Sequence, residues 1–166
     1  MEFLYRTNEL KSATNARKNT FLLPNGLGGY ASVTSVYSVP RCDQGILVAA
    51  VKAPNVRMNL VHRISEKLCF SDEEYYLSSQ AFADTTPFED GHRYLHQFTL
   101  DYTPMWSYEV AGVQVERQMC MEYGKNTTAV LYHIVNDSNK DCTLVLRPYF
   151  KFAPKEEAVR QRKFAK

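Results

Sequence analysis

One stretch of this 166-residue chain gathers its chemically suggestive residues, and the rest lie apart. From Asn25 to Ser32 it reads Asn-Gly-Leu-Gly-Gly-Tyr-Ala-Ser. Gly26-x-Gly28-x-x-Ala31 has the spacing of a turn that cradles a pyrophosphate. That chemistry needs a strand before the turn and a helix after it, so that backbone N–H groups and the helix dipole meet the phosphates. The residues after Ala31 are Ser, Val, Thr, Ser, Val, Tyr, Ser and Val, closed by Pro40. They favour strand. A nucleotide site is therefore not expected.

Other reactive types are dispersed. Asp84, Glu89 and Asp90 fall in a stretch that reads as loop, and Asp101, Glu109 and Glu116 in stretches that read as strand. Acid–base work by carboxyl groups needs two of them across one gap, and no spacing here pairs any two. His62 stands alone in an alternating strand, without a Ser or Cys nucleophile motif beside it. Cys42, Cys69, Cys120 and Cys142 lack zinc-ligand spacing and read as free thiols. No catalytic residue, metal site or cofactor is expected in this chain.

The elements that would position these residues are strands. Thr20 to Leu23 reads as a short strand entering the glycine corner. Val33 to Tyr37 reads as the strand leaving it, Pro40-Arg41 as a polar turn, and Gly45 to Val51 as a buried strand. Val56 to Phe70 reads as a long strand and Tyr94 to Asp101 as another. Trp106 to Ala111 and Val113 to Met121 flank the hairpin signal Ala111-Gly112. In the second arm Val113, Val115, Met119 and Met121 share one face, a period of two. Thr128 to Val135 and Cys142 to Phe152 complete a meander, split by the polar turn Asn136 to Asp141. The fold expected is all-β, an antiparallel β-sandwich over residues 1–153. Thr7 to Asn19 reads as solvated loop, and 154–166 as a basic, helix-compatible tail or the start of a continuation.

The net charge of +2 gives no electrostatic case for nucleic acid or for an anionic membrane. No apolar run approaches a membrane span, and no leader pattern is visible at Met1-Glu2-Phe3, so a cytoplasmic location is expected.

The glycine corner and the residues downstream carry a resemblance. NGLGGYAS, the Arg41 turn and Gly45-Ile46-Leu47-Val48-Ala49-Ala50 resemble the amino-terminal domain of bacterial and archaeal glycogen debranching enzymes. The order continues through His92-Arg93-Tyr94-Leu95, Trp106-Ser107-Tyr108-Glu109-Val110, Gly124-x-Asn126-Thr127 and Leu146-Arg147-Pro148. The match runs over roughly residues 20–153, nearly the whole chain. One turn departs from it: the family usually has Thr-Arg-Arg-Tyr-His-Gly, and this chain has Arg41-Cys42-Asp43-Gln44-Gly45.

The resemblance implies a large, supersandwich-like β-sandwich set against a helical barrel that carries the acid and base of a glycoside hydrolase. This chain would then be the non-catalytic partner of that barrel, shaping access for an α-glucan. Sugars present apolar C–H faces and a rim of hydroxyls, which proteins meet with aromatic rings and planar polar side chains. On those grounds Asn25, Tyr30, Arg41, Gln44, Arg93 and Trp106 are candidate glucan-binding residues. Trp106 has an alternative place in the core or against the barrel, since large aromatics are mostly buried. A stand-alone α-glucan-binding module and an assembly domain without sugar affinity are the alternative readings. The family's domain normally continues further, so an uncovered sheet edge and self-association are also expected.

Overall fold

The computed structural model describes residues 3–10, 18–81 and 87–158. The strands are β1 (Phe3–Arg6), β2 (Leu23–Pro24), β3 (Tyr30–Ser32), β4 (Gly45–Lys52), β5 (Val56–Cys69), β6 (Glu74–Tyr76) and β7 (Ser79–Ala81). They continue with β8 (Pro87–Asp90), β9 (Leu95–Leu100), β10 (Pro104–Val110), β11 (Val113–Met121), β12 (Thr128–Asn136) and β13 (Thr143–Pro154). A four-residue helix, α1 (Thr7–Leu10), follows β1, and a 3-10 turn spans Gly91–Arg93.

Two antiparallel sheets face each other. The first runs β1-β9-β10-β11-β12, the second β13-β5-β4-β3-β2, with β6 on the far end of β5. Phe98, Trp106, Tyr108, Val110, Val113, Val115 and Met119 of the first sheet meet Ala31, Ile46 and Leu68 of the second in one buried core. The all-β antiparallel sandwich expected from the meander is what forms. The Ala111-Gly112 hairpin has both residues at positive φ, 50° and 77°. This is the turn whose twist matches two flanking strands.

Three local expectations are corrected. Val33 to Tyr37 is not a strand: Thr34 Oγ1 accepts the Ser38 amide at 2.9 Å and bonds the Ser38 hydroxyl, so side-chain oxygens close a tight turn in place of the ladder. The stretch from Thr7 is not all loop, because Thr7–Leu10 forms α1, directly after β1, which pairs with β9 in register with Phe3 opposite Leu100. Four residues are too few to show a period in sequence. The stretch around Glu89 is strand β8, paired with β7, while Asp84 lies outside the described residues, as do Lys11, Arg17 and the tail from 159 onward. Among the described residues no helix is long and apolar enough to cross a membrane, and no group of His, Cys, Asp and Glu could hold a metal ion.

Candidate functional site

The glycine corner between β2 and β3 is a lock between the two sheets. Asn25 is fully buried. Its Oδ1 accepts the Leu27 amide at 2.9 Å, closing the turn, and its Nδ2 donates to Lys125 O at 2.9 Å and to Asn126 Oδ1 at 3.0 Å. The Gly124 amide returns a bond to Asn25 O at 2.7 Å. Asn126, in the turn between β11 and β12, bonds both backbone groups of Ala50 in β4, at 2.9 and 3.1 Å. A side-chain amide thus pairs with a strand as another strand would. The glycines make room for this contact. A Cβ on Gly29 would lie 2.7 Å from Asn25 Nδ2 and 2.8 Å from Asn126 Oδ1, and one on Gly28 would lie 2.7 Å from Pro54 O. Gly28 also sits at φ +93°, where any other residue is strained.

The Arg41–Gly45 turn stands beside the lock. Tyr30 pairs with Val48 of β4 and donates its hydroxyl to Asp43 O at 2.6 Å. Burial raises the Tyr30 phenol above its ordinary value. Gln44 is fully buried, and its Oε1 accepts the Arg41 amide at 3.2 Å. Asn59 Nδ2 donates to Gln44 O at 2.7 Å and contacts His62 Nδ1 at 3.2 Å. Burial, then the charge of Lys151, pushes His62 down to about 4. Arg41 is the open group here: its side chain is 57% exposed, and Asp43 holds its Nε at 3.1 Å.

Of the six residues proposed for sugar contact, the fold gathers four at this corner: Asn25, Tyr30, Arg41 and Gln44. Asn25 and Gln44 are enclosed: Asn25 spends its whole amide on the chain, while Gln44 spends its Oε1 on Arg41 and leaves its buried Nε2 without a partner among the described residues. Tyr30 and Arg41 remain at the surface. Arg93 is elsewhere, exposed and 3.5 Å from Asp90, beside the β10–β11 hairpin. The corner abuts the opposite end of β11, so about 26 Å of strand separates the two. Trp106 is sealed in the core, with its Nε1 donating to Ser35 O at 3.0 Å and its ring against Phe21, Tyr37 and Phe98. It presents no face to a ligand, which is the alternative place the sequence offered.

A second polar centre escaped sequence reasoning. Arg117 occupies the inward stripe of β11 between Val115 and Met119 and is fully buried. Its guanidinium pairs with Glu66 of β5 and donates to the Tyr108 hydroxyl, with its Cζ 3.3 Å over the Tyr37 ring. Tyr132 donates to Glu66 Oε1 at 2.6 Å. Burial raises Tyr132 and Tyr108 well above the ordinary phenol value, and the charge of Glu66 adds to both. Nearby, Arg63 holds both oxygens of Glu89 at 2.9 Å, and the Ser78 hydroxyl joins the two pairs by donating to Glu89 and accepting the Glu66 amide. The one sequence signal was an arginine at a core position of an alternating strand.

The family model described as glycogen debranching enzyme N terminal matches residues 19–166. The chain belongs to that family. No curated protein and no solved structure matches it. Two of the segments behind the family resemblance, Asn25 to Ser32 and Gly124 to Thr127, are the two halves of the lock. In this debranching-enzyme domain they are held together by Asn25 and Asn126.

Proposed function

We propose that this chain is the accessory sandwich of a debranching-type glycoside hydrolase, docking on a helical catalytic domain and shaping the path of an α-glucan. The family match over 19–166 carries this reading. The chemistry of the described carboxylates agrees with a non-catalytic part. Glu66 and Glu89, the two enclosed ones, are each neutralised by an arginine and sit in filled space rather than across a gap. Glycosidic cleavage needs two carboxyl groups facing one scissile bond.

The glucan contact falls at the glycine corner, where Tyr30 offers ring surface and Arg41 a planar donor set. The test is calorimetric titration of the chain with maltoheptaose and with a branched α-glucan. Heat is the right readout because Trp106, the single tryptophan, is sealed away from any surface. Saturable heat lost in Arg41→Ala supports the reading. No heat at millimolar glucan overturns the sugar contact and favours a pure docking scaffold, in keeping with the altered Arg41–Gly45 turn. Glucose release from branched glucan by the chain alone would overturn the non-catalytic assignment.

A further inference from the structure

Sheet edges carry unpaired N–H and C=O groups, and proteins blunt them with charge, proline, bulges or short length. The edges of this sandwich differ. β1 and β2 are four and two residues long. β13 carries Arg147, Pro148 and Lys151, and its register shifts between Tyr149 and Phe150 and again before Ala153. β12 has none of these devices. Its sequence, Thr-Ala-Val-Leu-Tyr-His-Ile-Val-Asn, contains no carboxylate, lysine, arginine, proline or glycine. All nine residues run in unbroken register with β11, so the edge, which no other described strand covers, carries no bulge. Leu131 is 64% exposed, and Ile134 and Val135 are also open.

The flank beside this edge is apolar as well. Tyr132 reaches across to Glu66, and Glu66 pairs in register with Leu146 of β13. β13 therefore lies opposite β12 at this point, and its Leu146, on the same face as Glu66, is exposed there.

We propose that β12 pairs antiparallel with β12 of a second copy of this chain, about a two-fold axis at Tyr132, so that two five-stranded sheets become one of ten strands. The occupant is a second copy because the strand complements itself. In that register Thr128 meets Asn136, Val130 meets Ile134 and Leu131 meets His133, and no like charges face each other.

The test is sedimentation velocity of the 166-residue chain from about 5 to about 200 µM, since dimers declare themselves by concentration dependence. The expected result is a dimer. Leu131→Lys should weaken it at least about tenfold, because two lysines would enter the pairing. Leu131 is exposed, so circular dichroism should show the fold intact. Adding His133→Glu in the same chain places Glu opposite Lys across the axis and should restore the dimer. Gln118→Lys, outward-facing but one strand inside the edge, should leave it unchanged. A monomer at every concentration overturns the proposal. So does a dimer indifferent to Leu131→Lys, or a double variant that stays monomeric.

Discussion

The glycine corner and the Arg117–Glu66 centre both tie one sheet to the other, with opposite chemistry. The corner uses neutral amides near the surface: Asn25, Asn126 and the backbone of Ala50. The centre uses full charges in the core, surrounded by the rings of Tyr37, Trp106 and Tyr108. An amide that loses its partner at the corner can be met in part by water. A guanidinium that loses its carboxylate in the core cannot. The two joints therefore tolerate damage very differently, and substitutions can measure the gap.

The largest effect belongs to the centre. Glu66→Leu leaves Arg117 charged, buried and unpaired, which costs about 3–5 kcal/mol. The urea midpoint should fall accordingly. The double variant Glu66→Leu/Arg117→Met removes both charges and should be more stable than the single one, because matched apolar replacement avoids the stranded ion. If the double variant is worse than the single, the pair itself and not the stranded charge is what matters, and the contrast with the corner narrows.

At the corner, Asn25→Ala removes the acceptor for Leu27 and the donor to Lys125 and Asn126. About 2–3 kcal/mol is expected, since several enclosed groups lose partners at once. Asn126→Ala should cost less, because Asn126 is itself exposed. The two share a bond, so their effects should be less than additive in a double-mutant cycle followed by thermal melting. Strict additivity would mean that the lock is two separate fastenings.

How legible each joint was in sequence follows from how it is built. The corner is specified over a few residues, and glycines crowded beside an asparagine announce a constrained turn even when its partner is unknown. The sandwich was legible for a similar reason, since period-two alternation in β11 is a local property. The centre is assembled from residues 51 and 66 positions apart, Glu66 with Arg117 and with Tyr132. No local pattern encodes that. β5 concealed it further, because its buried positions, Asn59, Arg63, Ser65, Glu66 and Leu68, are mostly polar and fall on both faces instead of forming one apolar stripe. Its polar residues look solvent-facing until the opposing sheet is known. The turn at Thr34 to Ser38 was hidden by hydroxyls that suit either a strand or a turn.

His62 lies on β5 between the two joints and sharpens the comparison through pH. Its folded value of about 4 is below the usual histidine range. Between about 6.5 and 4 the unfolded chain takes up a proton that the folded chain refuses, so stability should fall as pH drops through that window. About 1–2 kcal/mol is expected, allowing for solvent screening of a half-buried ring. The loss should localise to the corner, since a protonated ring can no longer accept from Asn59. His62→Gln keeps an acceptor without the titration and should flatten the urea midpoint against pH. An unchanged slope in that variant would move the acid sensitivity to other groups.

The smallest stability effect is expected at Arg41, and it separates the corner's structural work from its proposed binding work. The pair with Asp43 is solvent-exposed on both sides, and such pairs contribute about 0.5 kcal/mol or less. Arg41→Ala should leave the melting temperature nearly unchanged. Asn25→Ala should lower it while leaving Arg41 in place. If glucan heat is lost in Arg41→Ala alone, recognition resides in the exposed turn, and the amides beneath it serve only to hold that turn. If heat survives in Arg41→Ala and is lost in Asn25→Ala, the turn as a whole matters and no single cation does. A large drop in melting temperature for Arg41→Ala would place Arg41 in the lock itself, and the division between an enclosed neutral joint and an open binding edge would not hold.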